Sequence, residues 1–322
     1  MIEDEAEAKL SILVVGSINM DLVLRVSRMP HPGESLIGET YHHIPGGKGA
    51  NQAVAAARLG AAVTLAGKVG KDVNGMKLRE HLDAQGITTR CVVSDGKSQT
   101  GLAVITLETS GQNSIIVFPG ANMDIRKDEL QHAFAGGHYD AVMLQLEIPQ
   151  EIVIECCNLA RVAGIPVVLD AGPAQAFPLE QVRGIAILTP NETETLALTG
   201  MEVRTLDDAA RAASLLLARA QAHAVVMKLG EKGALLRTAE GASEHFPARS
   251  VEVVDTTAAG DAFTAAMSIR YLQTGNLREA IPYGNLVGAL TVTRLGAQPS
   301  LPTASEVEAF RLGVHATPGA PV

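Results

Sequence analysis

The residues best equipped for chemistry lie at 253–267, VVDTTAAGDAFTAAM. The end of an apolar strand runs through small residues and a glycine into a helical pattern, with Asp261 in its first turn. The first amides of a helix lack internal acceptors and carry partial positive charge. Ala258, Ala259 and Gly260 present little or no side chain, so an anion can approach those amides closely. A carboxylate beside that pocket can take the proton of an attacking alcohol. Phosphoryl transfer requires both parts, a cradle for developing charge and a base for the nucleophile. A lone aspartate at a helix start would merely complement the helix dipole. The Ala-Ala-Gly before it, and Asp255 six residues upstream, favour the chemical reading.

Two further segments could bind a polar ligand. Residues 45–51, PGGKGAN, precede a second helical pattern, with glycines that admit a ligand and with Lys48 and Asn51 as hydrogen-bonding groups. This is not a Walker A loop, whose lysine is followed by Ser or Thr, because Gly49 follows here. A plain glycine turn capping a helix explains this segment equally well. Residues 16–21, GSINMD, follow the first apolar run. Ligands of doubly wound sheets sit beyond the carboxyl ends of the strands. Asn19 and Asp21 would stand there, with side chains suited to sugar hydroxyls. Taken alone, an Asx turn accounts for the segment better. It lacks the third glycine of a dinucleotide fingerprint, which weakens any nicotinamide-dependent oxidoreductase reading.

The elements that must position these segments follow from hydrophobic patterning. Short apolar runs at 10–16, 63–69, 141–146, 166–170, 185–189 and 224–229 read as buried strands of a parallel sheet. Helical patterns at 51–59, 74–84, 150–163, 206–220, 260–272 and 277–294 fall between them, several closed by glycine. The alternation predicts an α/β fold: a parallel-rich sheet flanked by helices on both faces. Residues 22–44 and 90–118 break the rhythm and read as an antiparallel flap or lid, drawn from about 20–45 and 90–120. One domain over 1–313 is expected, with a frayed tail at 314–322.

Composition narrows the class. The 322 residues are 47% hydrophobic and 19% charged, ample for a buried core. A net charge of −9 speaks against a general nucleic-acid binder. Any anionic substrate must then be held by a local device: amides, a metal ion or a few lysines. The three cysteines, Cys91, Cys156 and Cys157, form neither a disulfide framework nor a zinc spacing, which fits a reducing compartment. Cys156 and Cys157 lie in an apolar helix and read as core. The acidic opening residues are unlike a signal peptide, and no run reaches the ~20 apolar residues of a membrane span, so a cytoplasmic protein is expected. His42 and His43 read as a solvated turn rather than a metal site.

Taken together, the segments resemble the ribokinase family of carbohydrate kinases, also called the PfkB family. One signature runs from Gly46 through Gly47, Gly49, Asn51 and Ala53 to Gly60 and Gly70; the other is DTTAAGDAF at 255–263. PNETE at 190–194 matches the Asn-x-x-Glu motif between them. The likeness covers nearly the whole chain. It implies ATP-dependent phosphorylation of D-ribose at the 5-hydroxyl, and a β lid over the sugar that often forms a homodimer contact. It also implies roles. Asp261 is the base, and Ala258, Ala259 and Gly260 form the anion hole. Asn19, Asp21, Gly47, Lys48, Asn51 and Glu147 hold the sugar. Asn191, Gly230, Gly233 and Asn285 line the nucleotide site, and Glu194 acts through water on magnesium. Asp255, Thr257, Thr291, Arg294, Gly296 and Ser300 match a monovalent-cation loop pair, usually holding potassium.

Two departures stand out. Lys228 occupies a position where a small hydroxyl residue is frequent in the family, and could reach the nucleotide phosphates or point to solvent. Pro282 falls inside a helical pattern near Asn285 and should kink or restart it. As for substrate, the absence of Trp, with four Tyr and six Phe, tilts against a nucleoside base that needs stacking, although Phe177, Phe118 and Tyr41 could serve. No Arg cluster marks a sugar-phosphate site; deoxyribose and fructose stay open. A sugar-binding regulator without catalysis could afford to lose Asp261 or the glycine before it, and both are intact.

Overall fold

The computed structural model describes residues 9–110 and 112–313; the opening acidic residues and the tail at 314–322 lie outside the described residues. Two sheets organise the chain. The first run, LSILVVG, forms β1 (Ser11–Val15), with Ile12, Leu13 and Val14 fully buried, as a strand covered on both faces must be. The chain then leaves for a second sheet through β2 (Asn19–Val26) and β3 (Thr40–Gly46) before α1 (Lys48–Arg58) returns it beside β4 (Ala62–Gly70). Next come α2 (Val73–Ala84) and β5 (Thr88–Asp95), then β6 (Gly101–Glu108) and β7 (Asn113–Phe118) of the second sheet.

From there the pattern is regular: α3 (Lys127–Ala135), β8 (Ala141–Leu144), α4 (Gln150–Ala163), β9 (Val167–Asp170), β10 (Ile187–Thr189), α5 (Glu192–Thr199), α6 (Leu206–Ala220) and β11 (Ala224–Lys228). A hairpin of β12 (Ala234–Thr238) and β13 (Ser243–Phe246) follows. The chain closes with α7 (Ala259–Thr274), α8 (Leu277–Thr291) and α9 (Ala304–Arg311).

The large sheet has nine strands in the order β13-β12-β11-β10-β9-β8-β1-β4-β5. All pairings are parallel from β11 to β5, while β12 runs antiparallel to both of its neighbours, β11 and β13. One core lies between the sheet and α3, α4 and α6; it includes Leu130, Cys156, Cys157 and Leu216. A second core faces α1, α2, α7 and α8, through Ala53, Val54, Leu78, Ala265 and Val287. The alanines of α1 are thereby explained: eight consecutive residues, Gly49 to Ala56, are buried, and small side chains let α1 pack closely on α7 and β4.

Several expectations change. The second sheet, β3-β2-β6-β7, is mixed rather than antiparallel, since β2 and β6 pair in parallel. Parallel pairing needs a long crossover, and the intervening α1, β4, α2 and β5 supply one. Residues 90–95 belong to β5 at the edge of the large sheet, not to the smaller one. His42 and His43 lie in β3, exposed, rather than in a turn. The strand expected over 141–146 ends at Leu144, which frees Gln145 and Glu147 for the cleft. Pro282 does not restart its helix: α8 runs unbroken from Leu277 to Thr291 with the proline inside.

Candidate active site

β1 has β4 on one side and β8 on the other, so the chain connections diverge there and open a crevice at the carboxyl ends of the strands. Three loops enter it. After β1, Ser17 turns back to the start of α1: its carbonyl accepts the Ala50 amide at 2.9 Å, and its hydroxyl donates to Glu147. Glu147 also accepts the Lys48 amide at 3.1 Å, so one carboxylate joins the loop after β8 to the α1 N-terminus. Gly47, the cap of that helix, has φ 89°. A Cβ there would lie 2.7 Å from the Asn19 amide, so both conformation and space call for glycine.

The end of the cleft beneath the second sheet is acidic and polar. Asn19 and Asp21 are two residues apart on β2, hence on one face, and both are buried. Asn19 Oδ1 accepts from Asn122 Nδ2 at 2.7 Å, and Asn122 Oδ1 accepts the Ile18 amide at 2.9 Å. Burial, with Glu147 and Asp261 nearby, pushes Asp21 up to about 7. Asn51 donates to Asp261 Oδ2 at 2.9 Å, while its Oδ1 is buried without a hydrogen-bond partner among the described residues. An orphaned acceptor in a polar cleft is what a bound hydroxyl would satisfy.

At the other end stands α7. Its cap, Ala258, has φ 62° and ψ 5°, a conformation alanine rarely adopts. The Ala259 amide turns inward to the Thr256 carbonyl at 3.3 Å. Among the described residues, the amides of Ala258, Gly260 and Asp261 have no acceptor in the fold, leaving donors for an incoming anion. Asp261 is buried, and burial raises it above the usual carboxylate range against the opposing pull of Lys48. Burial would lower the Lys48 ammonium, but Asp261, Asp170, Glu147 and Glu194 outweigh it and hold the charge in place.

Lys228 neither points to solvent nor stands alone. Its side chain is 12% exposed, with Nζ 2.9 Å from Asp170 Oδ1 and 3.8 Å from Glu194 Oε2. A Cβ built on Gly260 would lie 3.6 Å from that Nζ, so the ammonium borders the α7 amides. Glu194 forms a capping box with Asn191 at the start of α5, accepting the Asn191 amide at 2.7 Å. Its Oε1 and the Lys48 Nζ both face Gly172, at 2.7 and 2.8 Å from where a Cβ there would stand. Burial raises Glu194 despite Lys228.

Of the remaining expected residues, Gly230 and Gly233 lie on one turn and Asn285 on α8. Gly230 and Gly233 bracket the turn between β11 and β12. Asn285 donates to the Phe246 and Pro247 carbonyls at 3.0 and 3.2 Å, and a Cβ on Gly233 would lie 2.6 Å from the Ala248 amide. Gly233, Asn285 and the segment 246–248 therefore meet on one wall. Phe177 is buried in the core, while Phe118 and Tyr41 lie exposed on β7 and β3.

Asp255 ties together the two loops expected to hold a cation. Its Oδ1 accepts the Thr257 amide at 2.9 Å and hydroxyl at 2.6 Å, and its Oδ2 accepts the Gly296 amide at 2.8 Å. The Thr291 and Ser300 hydroxyls are spent on the Val287 and Ala297 carbonyls. Arg294 pairs with Glu306 at 2.8 Å, so its contribution to these loops would be a backbone carbonyl. Oxygen donors of this kind suit a monovalent cation. Among the described residues no group of three His, Cys, Asp or Glu side chains could cage a metal. Magnesium, which keeps several waters and binds largely through phosphates, fits a single outer carboxylate such as Glu194.

Residue-by-residue reading passed over Asp170, Gln52, Ser17, Asn122 and Thr264. Asp170 ends a strand that the sequence pattern located, so the carboxyl-end rule was the available signal. Gln52 stands beside Asn51 on α1, but only the fold shows it bridging two carboxylates.

Comparison with known proteins agrees with this geometry. A family model described as pfkB family carbohydrate kinase matches residues 9–304. The chain is 38% identical over 305 residues to a ribokinase of Haemophilus influenzae, covering 93% of this chain and 98% of that one. It is 34% identical over 303 residues to a deoxyribokinase of Salmonella typhi, covering 94% and 98%. The solved structure of Arabidopsis thaliana ribokinase complexed with ribose and ATP superposes with a TM-score of 0.86 at 34% identity, over 94% of this chain and 98% of that one.

Proposed function

The chain belongs to the pfkB family of carbohydrate kinases, and from that premise we propose that this sugar kinase transfers the γ-phosphoryl group of ATP to the 5-hydroxyl of D-ribose. The carrying observation is the buried Asp261 carboxylate at the start of α7, beside free amides and within reach of Asn51. Asp261 takes the hydroxyl proton as the sugar oxygen attacks phosphorus, and the bond between the β–γ bridging oxygen and the γ-phosphorus breaks to release ADP. Charge on the moving phosphoryl meets the 258–260 turn through the amides of Ala258, Gly260 and Asp261, the Ala259 amide being held by Thr256, together with the ammonium groups of Lys48 and Lys228. Asn19, Asp21, Gly47, Lys48, Asn51 and Glu147 hold the sugar, and the unpartnered Asn51 Oδ1 supports that assignment.

On the nucleotide side, Asn191, Lys228, Gly230, Gly233 and Asn285 form the groove. Magnesium, when bound with ATP, offsets phosphate charge, with Glu194 ordering its waters. The loops around Asp255, Thr257, Thr291, Arg294, Gly296 and Ser300 take potassium. The four-stranded sheet acts as a lid on the sugar and as a homodimer face. The run Ile115, Ile116, Val117 and Phe118 on edge strand β7, all at least 46% exposed, supports that role.

Deoxyribose is the second reading, since the deoxyribokinase likeness is nearly as extensive. ADP release measured with ribose, deoxyribose, fructose, adenosine and fructose 6-phosphate tests the assignment. Ribose should give the highest kcat/KM, higher in potassium than in sodium. No sugar-dependent ADP release, or a clear preference for another acceptor, would overturn it.

A further inference from the structure

Asp170, the last residue of β9, is 1% exposed, and among the described residues its side chain has no hydrogen bond to the proposed sugar-holding residues or the free α7 amides. It nevertheless gathers groups beside them. Lys228 Nζ lies 2.9 Å from each of its oxygens. The Gly172 amide donates to Oδ1 at 3.1 Å, and the Thr264 hydroxyl donates to Oδ2 at 3.0 Å. Thr264 follows Asp261 by three residues on α7, on the same face.

Gln52 extends this cluster to the base. Its Nε2 carries two hydrogens, and it lies 3.1 Å from Asp170 Oδ2 and 3.2 Å from Asp261 Oδ1. Its Oε1 accepts from Gln145 Nε2 at 2.6 Å, so the amide is held from both ends. On the far side, an ammonium has three hydrogens; the Asp170 oxygens take two from Lys228. The nitrogen also lies 3.6 Å from the point where a Gly260 Cβ would stand and 3.8 Å from Glu194 Oε2, so the ammonium borders the start of α7. Lys48 differs: among the described residues its ammonium has no hydrogen-bond acceptor, and nothing comparable fixes its direction.

We infer that Asp170 is a positioning residue for phosphoryl transfer: it holds Lys228 against the α7 anion hole and, through Gln52, holds the Asp261 carboxylate in one orientation. The inference rests on the reading of Asp261 as the base. The buried chain Lys228–Asp170–Gln52–Asp261 thus ties a phosphate ligand to the proton acceptor, so both are aligned before substrates arrive. Preorganisation of this kind matters because a misplacement of about 1 Å can cost roughly 100-fold in rate.

The test compares wild type with Asp170→Asn, Lys228→Met and Gln52→Met for kcat, both KM values, melting temperature and the pH profile of kcat. The charged groups around Asp261 are Lys48 on α1, Asp170 at the end of β9, Lys228 at the end of β11 and Asp21 on β2. Glu147 and Glu194 act from beyond Lys48. Asp170→Asn removes a neighbouring negative charge, so the acid limb should move to lower pH while kcat falls roughly 10- to 100-fold. Lys228→Met removes a positive charge, so its acid limb should move to higher pH with a similar loss. The KM for sugar should stay at the wild-type value in both. A merely structural ion pair would lower the melting temperature while leaving kcat at the wild-type value, since the limb shifts follow from the charges alone. Wild-type kcat in Asp170→Asn would overturn the inference. Should that variant not fold, Gln52→Met leaves the ion pair intact and tests the link alone; an unchanged profile there overturns it equally. Asp261→Asn, run alongside, separates the two levels, since retained turnover in that variant defeats the base assignment whatever Asp170 does.

Discussion

The two ends of the cleft differ in whether a buried carboxylate is paired with a cation. Under the second sheet, Glu147 accepts from Ser17 and the Lys48 amide, neither it nor Asp21 has an ion pair among the described residues, and Asp21 is pushed up to about 7 by burial, Glu147 and Asp261. Near α7, Asp170 is also buried, yet Lys228 and Lys48 overcome that burial and hold it below the usual carboxylate range. The difference matches what each end would bind under the proposed function. A neutral polyol can be gripped by carboxylates whose desolvation is relieved when hydroxyls arrive. A polyphosphate needs cations that stay charged in a buried place, and carboxylates such as Asp170 keep them so.

Breaking the charged end should have the larger effect. Asp261→Asn should keep the fold and ATP binding but lower kcat by roughly 10²–10⁴-fold, the range of a general base; single-turnover kinetics would check it. Because burial raises Asp261, wild-type kcat should fall as pH drops through a value above the ordinary aspartate range, and a pH profile would locate that limb. Lys48→Met should cost on the order of 10²–10³-fold in kcat/KM, by analogy with loss of one transition-state donor, and should push the acid limb to higher pH.

The acidic end should yield a smaller effect of opposite sign on stability. With its pKa near 7 in the fold and 3.8 as the reference, Asp21 binds a proton more tightly folded than unfolded. Its ionisation therefore destabilises the unliganded protein progressively as pH rises from about 4 to 7. Asp21→Asn should raise the melting temperature at pH 8 relative to wild type, by a gain on the order of 1–3 kcal/mol, with little difference at pH 4. The same variant should weaken sugar binding, which calorimetry would measure. Equal melting shifts at both pH values would remove the contrast between the two ends. The smallest expected effect is at the sheet edge: Ile116→Lys on β7 should shift the protein from dimer to monomer in sedimentation, because that side chain is exposed on an edge strand.

Much of this was legible beforehand. Hydrophobic runs located the central parallel strands, since a strand buried on both faces has few polar positions to confuse the pattern. The second sheet was harder: its strands are partly exposed, and its β2–β6 pairing is parallel through a long excursion that no local pattern encodes. The short α3, α5 and α9 and the β12–β13 hairpin passed unremarked among longer elements. The GGKGAN and AAGDAF segments announced themselves because a helix start that admits a ligand needs small residues in a row.

What the chain's residue order determined by itself was the set of local devices: bare helix starts, an aspartate one turn in, glycines where a side chain would collide, and alternating strands and helices. Each is a property of a few consecutive residues. What only the tertiary structure decided was which charges face one another. Asp170 and Lys228 are 58 positions apart, and Gln52 and Asp261 are 209 apart, yet they form one buried chain. Electrostatic interaction depends on separation in space and on exclusion of water, and neither quantity exists until the sheet has brought the strand ends together.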